Sequence, residues 1–424
     1  MVITDEGHRQ YELDNGLVVA LQNTPTQTVA AKLRVNYGAF HEGENEEGMA
    51  HLLEHCLVTG GSQKYSPLVA DKIRGIFGDY NAFTSIGRIC FEGQMLAEDF
   101  EKWLDFVSDH VLKPRFDLNR LNSERGRVLR EISDSKSDIT YPSSREFNTV
   151  FYGDHPKGRF ILGKEEVVDN ADLAKIKEFH SRGFHPNNID LIIAGKIPSN
   201  IDNLVEKYFG SFAKGKNTRT IFPEMQYLKE QTILNRFAPE RHNSDNPEES
   251  SAQLVLACTL PSELSSEEYE IMAMSQILGG DTHSLLFQNM GAKKGLAYSV
   301  NSSYDGEYNF GGLFVNADVP ARRIDEAIET IFEEMDKLKT QKISEKILGR
   351  IKKRSKFRLA MASELNRGQT GLLERRLDEG LTPETFLNNY DAVTPEKVFN
   401  VANKYLPDKD KGNYVLYISD PLKK

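Results

Sequence analysis

Apolar residues recur along the first half of the chain in patterns that predict strands and helices. An Asn-Gly pair between two strand-like segments predicts a hairpin in "YELDNGLVVALQ". Further strands are predicted in "TVAAKLRVNYG", "DYNAFTS", "RICFEGQML" and "NIDLIIAGKIP". Amphipathic helices are predicted in "AEDFEKWLDFVSDHVLKP" and "DLNRLNSERGRVLREISDSKSD". The first half therefore combines strand pairs with helices grouped between them.

The second half repeats this order of elements. Strands are predicted in "SAQLVLACTL", "LAYSVNSSYD", "GGLFVNADVP" and "NYVLYISDP", and helices in "EEYEIMAMSQILGG" and "ARRIDEAIETIFEEMDKLK". Between the halves the chain is polar and broken by prolines, which is typical of a linker. We therefore predict an α+β protein with two structurally similar domains, each a mainly antiparallel sheet packed with helices. The predicted ranges are 1–213 and 250–424 for the domains, with a linker at 214–249.

Composition and charge narrow the class of protein and its partners. The formal net charge of −10 argues against a nucleic-acid binder, which normally has a basic face. No apolar segment approaches the roughly 18–20 residues of a membrane span, and the N-terminus lacks the apolar segment of a signal peptide. Cys56, Cys90 and Cys258 are too few and too scattered for a disulfide framework. We predict a cytoplasmic protein with no nucleic-acid and no membrane partner.

The segment at residues 48–59 carries the first candidate chemistry. Its apolar residues share one side of a helical wheel: Met49, Leu52, Leu53, Cys56 and Leu57. His51, Glu54 and His55 fall on the other side. His51 and His55 lie one turn apart, so both imidazoles can reach one zinc ion (Zn2+). Glu54 could then take a proton from a water that the zinc acidifies. The alternative is an ordinary solvated helix face.

A catalytic zinc site needs a third protein ligand and an open position. One face of the helix in "RLNSERGRVLREIS" is marked by Leu121, Val128, Leu129 and Ile132. Glu124 and Glu131 lie along the same face, where carboxylates are costly unless they are paired or bind a metal. Both are therefore candidates for the missing ligand. The alternative is that Arg125, Arg127 or Arg130 pairs with them on a solvated surface.

The motif His-x-x-Glu-His at residues 51–55 resembles the inverzincin signature of the M16 metallopeptidases. Further segments that match this family are "LDNGLVV", "NAFTS", "HPKGRFILG", "FHPNNIDLIIAG", "ILGG" and "GLAYSV", and together they cover nearly the whole chain. The resemblance implies that His51, His55 and Glu131 bind zinc. It also implies that Glu54 is the catalytic general base and that Glu124 supports a ligand. The chain length matches the short branch of the family, which includes mitochondrial processing peptidase and bacterial relatives.

The resemblance also implies how a peptide substrate binds. In this branch two subunits, each with two similar domains, close like a clamshell around the peptide, so this chain would be half of a dimer. The peptide would add a strand to the edge formed by "YNAFTS", where Asn81 and Ala82 would offer hydrogen bonds. The alternative is a strand and turn without a ligand. The first domain would then be the zinc-binding catalytic domain, and the second would contact substrate and partner.

One expected pair of substrate contacts is incomplete. The second half of such enzymes usually contributes an Arg and a Tyr, seven residues apart. The matching tyrosine is Tyr298, but the residue seven positions earlier is Gly291. Lys293 and Lys294 are near, yet a lysine does not reproduce the planar fork of an arginine. A related partner subunit could supply the Arg/Tyr pair, or a homodimer could dispense with the arginine.

We therefore predict a zinc metalloendopeptidase that cleaves peptides, leader segments or presequences inside a dimeric chamber. The favoured arrangement is a heterodimer in which this chain is the catalytic subunit. The alternatives are a homodimeric peptidase that degrades peptides in general and a non-catalytic structural or assembly subunit of the family. The acidic segment "HEGENEEG" before the motif is interpreted as a solvated loop. The alternative is that it favours basic peptides near the cleft.

Overall fold

The computed structural model describes residues 7–137, 141–219, 222–246, 250–307 and 309–423. The chain forms two compact units, and each unit draws on both halves of the sequence. Unit 1 consists of Met1–Ser135, Arg159–Thr220 and Arg358–Thr385, and unit 2 consists of Lys136–Gly158, Ile221–Phe357 and Phe386–Lys424. The units are therefore not the continuous ranges 1–213 and 250–424.

The strands and helices follow the order expected from the apolar pattern. The strands β1 to β11 are His8–Glu12, Val18–Asn23, Thr28–Val35, Asp79–Thr84, Ile89–Leu96, Ile189–Gly195, Thr232–Phe237, Ser251–Thr259, Ser299–Asp305, Gly312–Pro320 and Tyr414–Asp420. The helices α1 to α14 are Met49–Thr59, Pro67–Arg74, Phe100–Leu112, Leu118–Ser137, Tyr141–Tyr152, Glu165–Asp169, Leu173–Gly183, Ile201–Phe209, Glu268–Gly279, Ile324–Thr340, Glu345–Glu364, Asn366–Glu379, Pro383–Asp391 and Pro395–Tyr405.

Unit 1 contains a six-stranded sheet in the order β1-β2-β6-β3-β5-β4. The neighbouring strands are antiparallel except β2 and β6, which are parallel. The predicted hairpin is confirmed, since Glu12 of β1 pairs with Val18 of β2 and Gly16 in the turn has a φ of 85°. Helix α1 buries its apolar side in the unit 1 core together with α3 and the sheet. β4 lies at one edge of this sheet and contacts α1.

Unit 2 contains a five-stranded sheet in the order β7-β11-β8-β10-β9. Only β7 and β11 are parallel among these pairs; the others are antiparallel. β7 lies inside the range 214–249 that the sequence predicts as a linker, and its residues alternate between half-buried and exposed. With two mainly antiparallel sheets and two sets of helices, the predicted α+β class is confirmed.

Each unit is completed by a helix from the other half of the sequence. α12 belongs to unit 1, where Leu373 packs on Ala20 and Ile192 of the sheet. A buried ion pair also fixes α12, because Arg34 of β3 contacts both Asp190 of β6 and Asp378 of α12 at 2.7 Å.

α5 is exchanged in the opposite sense and belongs to unit 2. Its Phe147 and Phe151 lie in one cluster with Val415 and Tyr417 of β11. α5 and α12 thus each cover apolar side chains of a sheet formed by the other half of the sequence.

Candidate metal centre

Helix α1 presents two histidines one turn apart. The opposite side of the helix is buried in the core through Met49, Leu52, Leu53, Cys56 and Leu57. The side chains of His51 and His55 are only 13% and 12% exposed, and their ring centroids lie 4.7 Å apart. The polar stripe predicted from the helical wheel therefore faces a largely enclosed region rather than open solvent.

Glu131 of α4 meets the two histidines. Its Oε2 lies 3.7 Å from Nε2 of His51 and 3.6 Å from Nε2 of His55. These separations exceed an ordinary N–H···O hydrogen bond of about 2.7–3.2 Å. Tetrahedral ligands at about 2.0–2.2 Å from a zinc ion would stand roughly 3.4 Å from one another. The donor set and its spacing thus fit a zinc ion better than a set of direct hydrogen bonds.

Glu124 holds the second histidine from the side away from Glu131. Nδ1 of His55 donates a hydrogen bond to Oε2 of Glu124 at 3.1 Å, which leaves Nε2 to face Glu131. A partner on the outer ring nitrogen fixes the tautomer and orientation of a metal-binding histidine. Glu124 is 2% exposed, and it also accepts from Nη1 of Arg127 at 3.3 Å. The predicted alternative, in which an arginine pairs with one of these glutamates, therefore occurs between Arg127 and Glu124. The carboxylate of Glu124 is nevertheless buried and not on a solvated surface.

The protonation of the histidines follows from their surroundings. Burial, reinforced by the neighbouring His55, lowers the pKa of His51 to about 4, so its ring is neutral at pH 7 and able to bind a metal. Burial by itself also lowers the pKa of His55, but Glu124, Glu131 and Glu54 together raise it above its ordinary value. A metal cation bound next to His55 would compensate the negative charge of these carboxylates, so His55 would not need to carry the extra proton.

Glu54 lies on α1 between the two histidines and is 7% exposed. Its Oε2 accepts a hydrogen bond from Oγ1 of Thr84 at 3.0 Å. Burial raises the pKa of Glu54 above its usual range. A carboxylate with a raised pKa is better suited to accept a proton and release it again near neutral pH. The sequence did not indicate Thr84, because its partner lies thirty positions away on a different element.

The acidic loop before α1 supports the start of the helix. Glu42 is 5% exposed, and its Oε1 accepts from the backbone N–H groups of Gly48 at 3.0 Å and Ala50 at 2.9 Å. The first N–H groups of a helix have no partner within the helix, so such a cap is stabilising. The interpretation of this segment as a solvated loop is therefore wrong for Glu42.

The segment "HPKGRFILG" packs against the same loop. Nη1 of Arg159 donates to the backbone oxygens of Ala39 at 2.9 Å and Glu42 at 3.1 Å. A side chain at Gly163 would collide with the backbone of Glu47 and Gly48, so only glycine allows this close approach. This segment, which matches the family, thus packs against the loop that precedes the N-terminus of α1.

The residues predicted to contact substrate lie in different places. Asn81 and Ala82 are on β4, and their backbone pairs with β5 on one side only, since β4 is an edge strand. Tyr298 belongs to unit 2 and its side chain is 99% exposed. A side chain added at Gly291 would meet nothing within 4 Å. Contact of these residues with a peptide stays a prediction.

Two sequence models of one family match consecutive parts of the chain. The model described as Insulinase (Peptidase family M16) matches residues 17–164, and the model described as Peptidase M16 inactive domain matches residues 170–355. The chain belongs to the M16 peptidase family. The resemblance drawn from the sequence is thereby confirmed. The metal-centre residues of this M16 protein lie within the first match, and Tyr298 lies within the second.

Relatives of this M16 chain are similar over most of their length. The uncharacterized zinc protease YmxG of Bacillus subtilis is 29% identical, over 97% of this chain and 98% of YmxG. The uncharacterized zinc protease Rv2782c of Mycobacterium tuberculosis is 26% identical, over 94% of this chain and 90% of Rv2782c.

Solved structures show the same fold. A protease from Helicobacter pylori superimposes with a TM-score of 0.86 at 20% identity, covering 98% of this chain and 99% of that one. A structure described as peptidase M16 inactive domain, from Pseudomonas fluorescens, has a TM-score of 0.85 at 19% identity and covers 98% of both chains. Within the described ranges, no helix has the length and apolar character that crossing a membrane requires. The cytoplasmic location stays a prediction.

Proposed function

We propose that this M16 chain is a zinc-dependent endopeptidase whose catalytic residues lie in unit 1. The observation that carries the proposal is the convergence of His51, His55 and Glu131. One donor atom from each of these residues lies within 4.8 Å of the other two. The relatives named zinc proteases support the choice of zinc. The three residues would hold the ion and leave its remaining position open to solvent and substrate.

A bound zinc ion would supply Lewis acidity that makes water a nucleophile near neutral pH and polarises a peptide carbonyl. The protein's own contribution is then the movement of one proton. Oε2 of Glu54 is held by Thr84, so Oε1 is the oxygen proposed to take the proton from the attacking water. Glu54 would return that proton to the nitrogen of the leaving amine, which restores the carboxylate.

A peptide substrate is proposed to bind along β4. An edge strand presents unpaired backbone donors and acceptors, and an extended peptide satisfies them by adding a strand. The exposed side chain of Asn81 and the backbone of Ala82 lie on this edge. Substrate recognition through the backbone fits a peptidase that accepts peptides, leader segments or presequences of varied sequence.

We further propose that the chain acts as a dimer, with a related partner subunit supplying the Arg/Tyr pair. Support comes from Gly291, which offers no side chain, and from Lys294, which cannot easily replace an arginine there. Nζ of Lys294 already donates to Thr330 at 2.9 Å and lies 3.2 Å from Glu333. A homodimer that dispenses with the arginine is the competing arrangement.

The first experiment tests catalysis. The purified chain is loaded with zinc, alone and with a co-purified related subunit, and incubated with a mixture of internally quenched decapeptides. We expect zinc-dependent cleavage that Glu54→Gln reduces by roughly 10²–10⁴-fold, the usual worth of a general base, while zinc content stays at one per chain. Zinc binding without any cleavage, with or without the partner, would instead favour the non-catalytic subunit.

The second experiment separates the two dimers. Because a Cβ added at Gly291 meets no neighbour within 4 Å, the position has room for the first atom of a side chain, and Gly291→Arg tests whether an arginine there is useful. If a partner normally supplies the arginine, this variant should raise cleavage by the chain alone, and Gly291→Met is the control for added bulk. Full activity of the unmodified chain alone, unaffected by Gly291→Arg, would support the homodimer and contradict the heterodimer.

A further inference from the structure

A single side-chain hydrogen bond connects the edge strand of unit 1 to the carboxylate next to the metal centre. Thr84 is the last residue of β4, and its Oγ1 donates to Oε2 of Glu54 on α1 at 3.0 Å. Thr84 is held in the sheet by pairing with Ile89 of β5. The hydroxyl is therefore fixed by the sheet, whereas the carboxylate it holds belongs to the helix.

The bond restricts a side chain that would otherwise be free to turn. A glutamate has three rotatable bonds, and ordering such a side chain costs up to roughly 1.5–2 kcal/mol of conformational entropy. Glu54 is 7% exposed, so loss of the Thr84 hydroxyl would leave Oε2 with little water to replace its partner. A donor on a rigid strand supplies both the partner and the direction, and it leaves Oε1 turned away from Thr84.

We propose that Thr84 is a positioning residue for Glu54 and connects the carboxylate to β4, the strand on which a peptide is proposed to bind. This inference rests on the proposed function. A peptide added to β4 would restrict the motion of the strand that carries Asn81, Ala82 and Thr84. The same strand would therefore position both the substrate and the carboxylate of Glu54, the proposed proton acceptor. A misplacement of about 1 Å in such a group can cost on the order of 10²-fold in rate.

A strand-to-helix contact in unit 2 shows what a merely structural hydroxyl does. Ser302 of β9 donates to the backbone oxygen of Ser275 on α9 at 2.6 Å, and the two hydroxyl oxygens lie 3.5 Å apart. In that unit the strand hydroxyl pairs with helix backbone. In unit 1 the strand hydroxyl of Thr84 instead donates to the side-chain carboxylate of Glu54.

The test compares Thr84→Val with Thr84→Ser. Valine has the shape of threonine and favours strands, so the sheet is retained while the donor is lost. Serine keeps the donor. With the fastest-cleaved decapeptide of the mixture described above, we expect Thr84→Val to lower kcat by roughly 10–100-fold, with KM and zinc content unchanged. Thr84→Ser should recover kcat to within a few-fold, and Thr232→Val on β7 is the matched control.

A merely structural role would shift the melting temperature and KM without a selective loss of kcat, and kcat near the unmodified value in Thr84→Val would overturn the proposal. If the unmodified chain cleaves nothing, the proposed function fails separately. The crystal structure of Thr84→Val then decides: an unmoved, well-ordered Glu54 carboxylate overturns the positioning role, and a turned or disordered one supports it.

Discussion

Units 1 and 2 each contain a side-chain contact that joins one helix to another, and the two contacts differ in their chemistry. In unit 1, α1 and α4 are joined by the hydrogen bond between His55 and Glu124. In unit 2, the end of α9 is joined to α11 through Asp281, which pairs with both Arg350 and Arg354. Two helices can thus be joined either by an imidazole–carboxylate contact, as in unit 1, or by a guanidinium–carboxylate contact, as in unit 2.

Only one of these two contacts leaves donor atoms for a metal. Of the groups of at least three His, Cys, Asp or Glu in the described part of the chain, only His51, His55 and Glu131 bring donor atoms within 4.8 Å of one another. The guanidinium groups of Arg350 and Arg354 in unit 2 are permanent cations, so they cannot coordinate a metal ion. Within the described residues, the donor atoms that could hold a metal ion therefore lie in unit 1.

The largest effect should follow from removing a proposed ligand. We expect His55→Ala to lower zinc affinity by more than the roughly 10–100-fold that loss of an outer hydrogen-bond partner costs. Competition with a chromogenic chelator measures it. Gln276→Ala on α9 is the matched change in unit 2 and should leave zinc binding unchanged. Equal losses in both variants would remove the contrast between the units.

Removal of the supporting carboxylate should have the next largest effect. Glu124→Ala leaves Nδ1 of His55 without its partner, so we expect zinc affinity to fall by roughly 10–100-fold. The same chelator competition measures the change. Arg127→Ala is the control, because that arginine is 50% exposed and its contact with Glu124 is worth little. An unchanged affinity in Glu124→Ala would contradict the orienting role.

The helix contact of unit 2 should affect stability and its dependence on pH, but not zinc. Burial by itself raises the pKa of Asp281, yet the backbone N–H of His283 and the two arginines hold it below its usual range. Its stabilising effect is therefore complete above the ordinary aspartate pKa of about 3.9 and is lost as the pH falls through the lowered pKa.

Asp281→Asn should therefore cost stability at neutral pH and little in acid. Because Arg350 and Arg354 are 33% and 39% exposed, we expect a loss of only about 1–2 kcal/mol at pH 7. Urea unfolding at pH 7, 5 and 3 measures the free energy of unfolding. A loss that grows as the pH falls would contradict the assigned direction, and a loss of zinc would contradict the separation of the units.

The smallest effect is expected in the acidic loop of unit 1. Glu46 pairs with Arg182 at 2.8 Å on the surface, with 26% and 38% of the side chains exposed. Glu46→Gln should cost less than about 1 kcal/mol and should not change the ratio of cleavage of lysine-rich to neutral decapeptides. A clear loss of preference for basic peptides would show that the loop selects substrates.

The sequence predicts the metal centre because helix periodicity fixes which side chains share a face. His51 and His55 must lie one turn apart on any helix, whereas the apolar pattern left Glu124 and Glu131 both open, and only the family resemblance singled out Glu131. Thr84 could not be found in this way, since its hydroxyl meets Glu54 only through the packing of β4 on α1. Glu42 was missed for the same reason, because it caps a helix from six positions before Gly48.

The exchange of α5 and α12 could not be predicted either. An amphipathic pattern shows that Phe147, Phe151 and Leu373 are apolar anchors, but not which sheet they cover. β7 was not predicted because the sequence of a half-exposed strand resembles that of a polar linker. The two similar domains, by contrast, follow from the repeated order of strands and helices.

We propose that one zinc ion binds between α1 and α4 of unit 1. Anomalous X-ray diffraction at the zinc absorption edge, from crystals grown with stoichiometric zinc, tests it most directly. We expect a single strong peak within coordination distance of His51, His55 and Glu131. A peak elsewhere, or a comparable peak at α9 and α11 of unit 2, would contradict it.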